Sequence, residues 1–379
     1  MKTLLVVAGE ASGDRAAAAV IDRLPGVQAF GLGGPALERR GVELAWDLRS
    51  STALGVGEVG VRAGSVVMAW QAVLRAQRKR RADAALLVNY SEFNARLAPR
   101  LHAAGARVVW YGAPQIWAWR EGRADVLRRH VDRMAVVLPF EEQVWRRAGV
   151  DARYVGHPAT ETAQADRAAA RRLLGMTPYA AAVAVLPGSR PHEVHRLLLP
   201  FLDAYERVRS DRASVDARTL LAGGLDDRTR EWARAVCAER RVGTVEVDPT
   251  VGAIGLLRAF DASLCASGTV SLEAVLARAV PVVAYRVGLP TELVARLLVK
   301  VRDVALPNIL LGRRAFPELL QRDVRAARLA AALEDVLDRR AELALACNEV
   351  ETVLGSGRKP SLEVARMLAP WLGVEAQAA

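Results

Sequence analysis

The chain has 379 residues, with 53 Lys and Arg against 42 Asp and Glu, for a formal charge of +11. That length suggests two or three domains at roughly 100–200 residues each. A composition of 52% hydrophobic and 25% charged residues excludes a largely disordered chain. Cys237, Cys265 and Cys347 are widely spaced and odd in number. They offer neither a disulfide framework nor a Cys-x-x-Cys knuckle, which points to a reducing compartment. Only His192 and His195 are close neighbours among five histidines, so no metal is expected.

Met1-Lys2-Thr3 runs at once into Leu4-Leu5-Val6-Val7-Ala8. This apolar run is too short for a signal-peptide core and reads as a buried strand. Residues 173–189 are uncharged but contain Gly175, Pro178, Pro187 and Gly188, which argues against a spanning helix. The expectation is a cytoplasmic protein. Its charge then needs a partner: nucleic acid, anionic lipid or phosphorylated small molecules. With aromatic content at 5% and no nucleic-acid motif, nucleic acid is the poorest of the three.

Short apolar runs alternate with helical-period segments, the pattern of an α/β protein. Strands are expected at 3–8, 27–30, 84–88, 108–111 and 133–137, with helices such as 15–24 and 93–104 between them. A second series follows Gly156-His157-Pro158 and a helix over 160–174. Its strands are expected at 180–186, 219–222, 244–247, 262–265 and 280–285. Two series of similar length suggest two doubly wound domains. The tail from about Arg325 reads as helical, with breaks at Gly355-Ser356-Gly357 and Pro360.

In a parallel sheet, ligands gather at strand carboxyl ends, where helices begin with unpaired amides. Four such turns are legible. Gly9-Glu10-Ala11-Ser12-Gly13-Asp14 offers a carboxylate at Glu10, with Ser12 or Asp14 as helix caps, but lacks the Walker spacing. Gly31-Leu32-Gly33-Gly34-Pro35 lacks the dinucleotide spacing and suits a backbone lining an acceptor site. Leu186-Pro187-Gly188-Ser189-Arg190 delivers a guanidinium that can bind diphosphate oxygens bidentately. Ser267-Gly268-Thr269 opens a helix whose amides can hold phosphate, and Glu273, one turn on, can accept from a ribose diol.

Val66, Val67, Trp70, Val73 and Leu74 recur at helical spacing ahead of Arg75, Arg78, Lys79, Arg80 and Arg81. Such a helix suits an anionic membrane surface or a lipid substrate, or simply packs its apolar face on the sheet.

These motifs occur in a fixed order with Tyr111-Gly112-Ala113-Pro114, Trp117-Ala118-Trp119, Leu138-Pro139-Phe140-Glu141, Leu272-Glu273 and Leu306-Pro307-Asn308. From residue 4 to about 321 the sequence resembles the lipid-A-disaccharide synthases, inverting glycosyltransferases of GT-B architecture. The resemblance implies two Rossmann-like domains facing across a cleft. Residues 1–158 would bind acceptor, completed by helices in 355–379, and 159–354 would bind the UDP-sugar. It implies transfer of 2,3-diacylglucosamine from its UDP derivative to 2,3-diacylglucosamine 1-phosphate, without metal or cofactor. Attachment would be to the cytoplasmic face of the inner membrane. Gly188, Ser189, Arg190, Ser267, Gly268, Thr269, Glu273 and Asn308 would hold the donor. Ser12, Gly33, Gly34 and Asn94 would lie on the acceptor side.

One departure matters. The family's Asp-x-Pro-Asp-Phe-Asn stretch, whose first aspartate is a favoured general base, reads Asn89-Tyr90-Ser91-Glu92-Phe93-Asn94 here. Asn89 cannot take a proton, so Glu92 or Glu10 replaces the base, or the chain serves another acceptor, or it only binds its ligands. On the first of these, Glu92→Gln is expected to lower turnover more than Asn89→Ala.

Overall fold

The computed structural model describes residues 2–53, 59–117, 122–162, 166–212, 214–286, 303–355 and 357–378. The chain divides into two compact units, Met1–Glu161 with Gly357–Ala379, and Thr162–Ser356.

Among the described residues the first unit holds seven strands: β1 (Thr3–Ala8), β2 (Gln28–Gly33), β3 (Glu43–Asp47), β4 (Ala84–Val88), β5 (Arg107–Tyr111), β6 (Arg133–Val136) and β7 (Ala152–Tyr154). They pair in parallel in the order β3-β2-β1-β4-β5-β6-β7. The order reverses between β1 and β4, and crevices for ligands form at such reversals. Its helices are α1 (Ala11–Ile21), α2 (Pro35–Glu38), α3 (Leu48–Ala53), α4 (Val59–Arg80), α5 (Ser91–Ala103), α6 (Arg123–His130) and α7 (Pro139–Arg147). A parallel strand is covered on both faces, which is why β1 is apolar at successive positions. Leu4, Val6 and Ala8 point to one core with Leu86 and Val109; Leu5 and Val7 point to the other with Leu87, Trp110, Val73 and Leu97.

The last helix belongs to this unit. Pro360–Leu372 buries Val364, Ala365 and Leu368 in the Leu4–Val6 core. Glu161 accepts hydrogen bonds from the Ser361 amide and hydroxyl, both at 2.8 Å, and so anchors its start. The Arg133 guanidinium stacks on Trp371 at 4.6 Å and donates to the Met367 carbonyl near its end.

The second unit repeats the plan with β8 (Ala181–Leu186), β9 (Val215–Ala222), β10 (Gly243–Val247), β11 (Ala262–Ala266), β12 (Val280–Tyr285) and β13 (Glu318–Leu320). The order is β10-β9-β8-β11-β12-β13, reversing between β8 and β11. Helices α8 (Arg167–Leu173), α9 (Pro191–Asp211), α10 (Asp227–Glu239), α11 (Ile254–Leu257), α12 (Thr269–Leu276), α13 (Leu306–Leu311), α14 (Ala326–Asp338) and α15 (Arg340–Val353) surround it. Before β11, the buried Asp261 receives Arg167 at 2.8 Å, Arg171 at 3.0 Å and Arg340 at 2.7 Å, with the Ala182 amide at 3.0 Å.

The alternating pattern thus yields the expected α/β class, with three further strands. β3, β7 and β13 are all edges, and β7 and β13 have only three residues each, so their neighbours rather than their own sequences make them strands. The expected helix over 160–174 is instead a 3₁₀ turn, Pro158–Glu161, followed by α8; residues 163–165 lie outside the described residues. Asp166 starts α8 by accepting from the Ala169 amide at 3.2 Å.

Candidate active site

At the reversal in the first unit, the pairings Ala8↔Val88 and Val88↔Tyr111 bring the exits of β1, β4 and β5 side by side. Glu10 therefore meets Asn89, 79 residues away in sequence. The Asn89 amide donates to Glu10 Oε1 at 3.3 Å, and the Ser12 hydroxyl donates to the same oxygen at 3.1 Å. Asn89 and Tyr90 are both left-handed, with φ of 48° and 44°. Asparagine tolerates that conformation, but for tyrosine it is strained, and such strain gathers at functional sites. The Tyr90 ring closes over Gly9, where a Cβ would lie only 2.1 Å from Tyr90 Cγ. It also stacks on Phe93 at 4.9 Å. Glu92 is exposed in the first turn of α5.

Several expected acceptor-side residues have internal duties. Asn94 is fully buried, and its amide donates to the Asn89 carbonyl at 3.0 Å, bracing the strained exit. Gly33 and Gly34 are buried against Asp14. Asp14 does not cap α1; it accepts from the amides of Gly34 at 2.7 Å and Ala36 at 2.8 Å, closing the start of α2. These two glycines make room for a carboxylate.

In the second unit, Arg190 precedes α9 with its side chain 56% exposed, 3.4 Å from Glu193. Glu193 accepts from the amides of Ser189 at 3.0 Å and Arg190 at 3.2 Å, so the carboxylate holds the turn through Gly188 and leaves the guanidinium as its outward group. On the other side of the reversal, Gly268 has φ of 151° and a Cβ there would meet nothing within 4 Å. It precedes α12, whose first amides, beginning with Thr269, have no acceptor a turn earlier in the helix. The Ser267 hydroxyl donates to the Val304 carbonyl at 3.1 Å, and Glu273 is half-buried one turn into the helix.

Asn308, expected on the donor side, has a dense set of internal partners. It is fully buried, donating to the Phe316 carbonyl at 2.9 Å and to Glu318 at 2.7 Å. It also accepts from the amides of Ala315 at 3.0 Å and Phe316 at 2.9 Å. Its amide is saturated by protein, and Glu318 in turn holds the amides of Val304 and Ala305. Asn308 therefore shapes the segment beside Ser267 through its side chain.

Glu141 went unassigned in the sequence because a Leu-Pro-Phe-Glu run reads as an ordinary helix start. It is 1% exposed in the first turn of α7, accepting from the Leu138 amide and from Trp117 Nε1, each at 3.1 Å. Burial raises its pKa to about 7 against the opposing pull of these hydrogen bonds. The unfolded carboxyl titrates near 4.5, so between about 4.5 and about 7 the folded chain keeps a proton that the unfolded chain has lost. Stability contributed by this group falls as pH rises through that window. Urea unfolding of wild type and Glu141→Gln from about pH 5 to about pH 8 should show a steeper loss in wild type. Parallel profiles would contradict this origin. Trp119, from the same motif, lies outside the described residues.

A family model described as "Lipid-A-disaccharide synthetase" matches residues 4–365. The chain belongs to the lipid-A-disaccharide synthase family. It is similar to the lipid-A-disaccharide synthase of Anaeromyxobacter sp. (strain K), with 41% identity over 368 residues and 94% of each chain covered. Among solved structures, it resembles a putative UDP-N-acetylglucosamine 2-epimerase from Listeria monocytogenes. That match has a TM-score of 0.66 at 11% identity, over 99% of this chain and 98% of the other. It also resembles MurG of Acinetobacter baumannii, with a TM-score of 0.55 at 14% identity, over 98% and 100%. These distant likenesses support the GT-B fold alone. Membership makes the chain a glycosyltransferase of lipid A disaccharide synthesis and implies a UDP-sugar donor and a lipid acceptor. A transferase with another acceptor, or an inactive homologue, is not favoured by these matches.

For a lipid A enzyme the basic helix α4 matters. Val73 is fully buried on the sheet, and Trp70 and Leu74 are half-buried against the same core. Val73 is thereby withheld from any bilayer while the helix is docked. Trp70 instead packs edge-on against Phe93 at 5.2 Å. Val66, Val67 and Met68 are 43%, 52% and 44% exposed, and Arg78 and Lys79 are exposed farther along. No helix among the described residues is long and apolar enough to cross a membrane.

Proposed function

We propose that this chain transfers 2,3-diacylglucosamine from its UDP derivative to 2,3-diacylglucosamine 1-phosphate, yielding the β-1,6-linked disaccharide phosphate and UDP. The observation that carries the chemistry is the carboxylate of Glu10 held by Asn89 and Ser12 at the β1–β4 reversal. An acceptor hydroxyl needs a base, and Asn89 has none to offer. Glu10 takes the 6-hydroxyl proton, the oxygen attacks the donor's anomeric carbon, and the diphosphate leaves from the opposite face with inversion. Asn89 and Ser12 keep the carboxylate oriented toward the reacting hydroxyl.

The donor half supplies stabilisation of the leaving group. Negative charge grows on the diphosphate as the sugar bond breaks, and a fixed guanidinium with helix-start amides meets it without reorganisation. Arg190 and the start of α12 suit that role, and Glu273 suits the ribose diol. Val66, Val67 and Met68 with the cations Arg78 and Lys79 suit shallow docking on the anionic cytoplasmic face of the inner membrane, which holds both acylated substrates.

Incubation with both acyl-sugar substrates tests the reaction: UDP and disaccharide should appear together, and UDP release without disaccharide would overturn it. Arg190→Ala should weaken UDP binding and turnover together, by on the order of 10–100-fold, from loss of a charged hydrogen-bond donor. Unchanged calorimetric affinity for UDP would remove Arg190 from the diphosphate site.

A further inference from the structure

We infer that Tyr285 is a further catalytic residue, its phenol hydroxyl donating a hydrogen bond to the departing diphosphate opposite Arg190; this rests on the donor site proposed above. The placement follows from sheet order. β11 lies between β8 and β12, with Ala266 paired to Ala284 and the Ser267 amide donating to the Ala284 carbonyl at 3.0 Å. Tyr285 therefore emerges beside Ser267 and Gly268, as Arg190 emerges beyond β8 on the other flank.

Val280 to Ala284 are buried along β12, whereas Tyr285 at its carboxyl end is 37% exposed. Strands two apart are separated by about 9–10 Å. Arg190, which precedes α9, and Tyr285, which ends β12, therefore leave the same carboxyl edge of the sheet on either side of the β11 exit. Between them lies Gly268, above which a Cβ would find no atom within 4 Å. An open floor with a guanidinium on one side and a phenol on the other fits a diphosphate.

The two groups do different work. A guanidinium supplies charge and tolerates several poses, while a phenol supplies one directed donor. Burial, then Glu193, raises the Tyr285 pKa above its ordinary value, so the hydroxyl keeps its proton near neutral pH. The group acts by donation alone and transfers no proton.

Tyr285→Phe removes only the hydroxyl and preserves the ring. Calorimetry with UDP and with uridine should show UDP affinity reduced about 10-fold or more and uridine affinity unchanged, with turnover falling alongside UDP affinity. UDP affinity within twofold of wild type, while Arg190→Ala weakens it, would overturn the role of Tyr285 and leave the donor site standing. Equal losses for uridine and UDP would also overturn it, because the ring would then serve the nucleoside. If neither variant altered UDP binding, the donor-site reading itself would fall.

Discussion

Glu10→Gln is expected to reduce turnover by about 10²–10⁴-fold while leaving UDP affinity unchanged, because it deletes a base and keeps the shape. A glutamine oxygen can still accept from Asn89 and Ser12, so the β1 exit should hold its form. Sequence alone left Glu10 and Glu92 equivalent, since each is a carboxylate beside a strand end. The structure places them differently: Glu10 accepts from Asn89 at the reversal, where β1 and β4 exit side by side, while Glu92 lies on the first turn of α5. Glu92→Gln should therefore cost less than Glu10→Gln. Near-normal turnover in Glu10→Gln together with a large loss in Glu92→Gln would return the base to Glu92.

The largest stability effect is expected at Asp261. Its carboxylate is 7% exposed and receives three guanidiniums and the Ala182 amide. The side chain of Arg171 is itself 4% exposed. Asp261→Ala would strand that buried cation, and losing one partner of a buried pair costs about 3–5 kcal/mol. The carbonyls of Ala259, Thr177, Pro178 and Ala180 also accept from Arg171, and they keep it solvated by protein dipoles but supply no countercharge. Urea unfolding of the Thr162–Ser356 unit should show the loss. A change below about 1 kcal/mol would mean that these carbonyls, rather than Asp261, hold the arginine. Asp261 precedes β11 and the proposed donor groups follow the strands, so turnover of the folded fraction should be unaffected.

Much of the candidate site was legible because parallel sheets place ligand contacts at strand ends, and local sequence marks those ends with glycine. The turns at Gly9, Gly188 and Gly268 each follow a strand at a reversal in strand order. Asn308, Asn94, Gly33 and Gly34 prove to have internal partners that the sequence did not reveal. A polar residue or glycine near a site looks alike in sequence whether it meets a ligand or supports the backbone that does. Only the partners distinguish them, and those lie on other elements: Asp14 for the glycines, Glu318 and Phe316 for Asn308.

By itself the sequence determined the α/β class, the strand-end turns and the family resemblance, because apolar runs, helical spacing and turn residues are local signals. Tertiary structure alone decided that Glu10 meets Asn89, that β11 lies between β8 and β12, and that the last helix joins the first unit. Those outcomes depend on which strands become neighbours and on contacts between residues far apart in the chain. Local periodicity names an element; it does not name the element beside it.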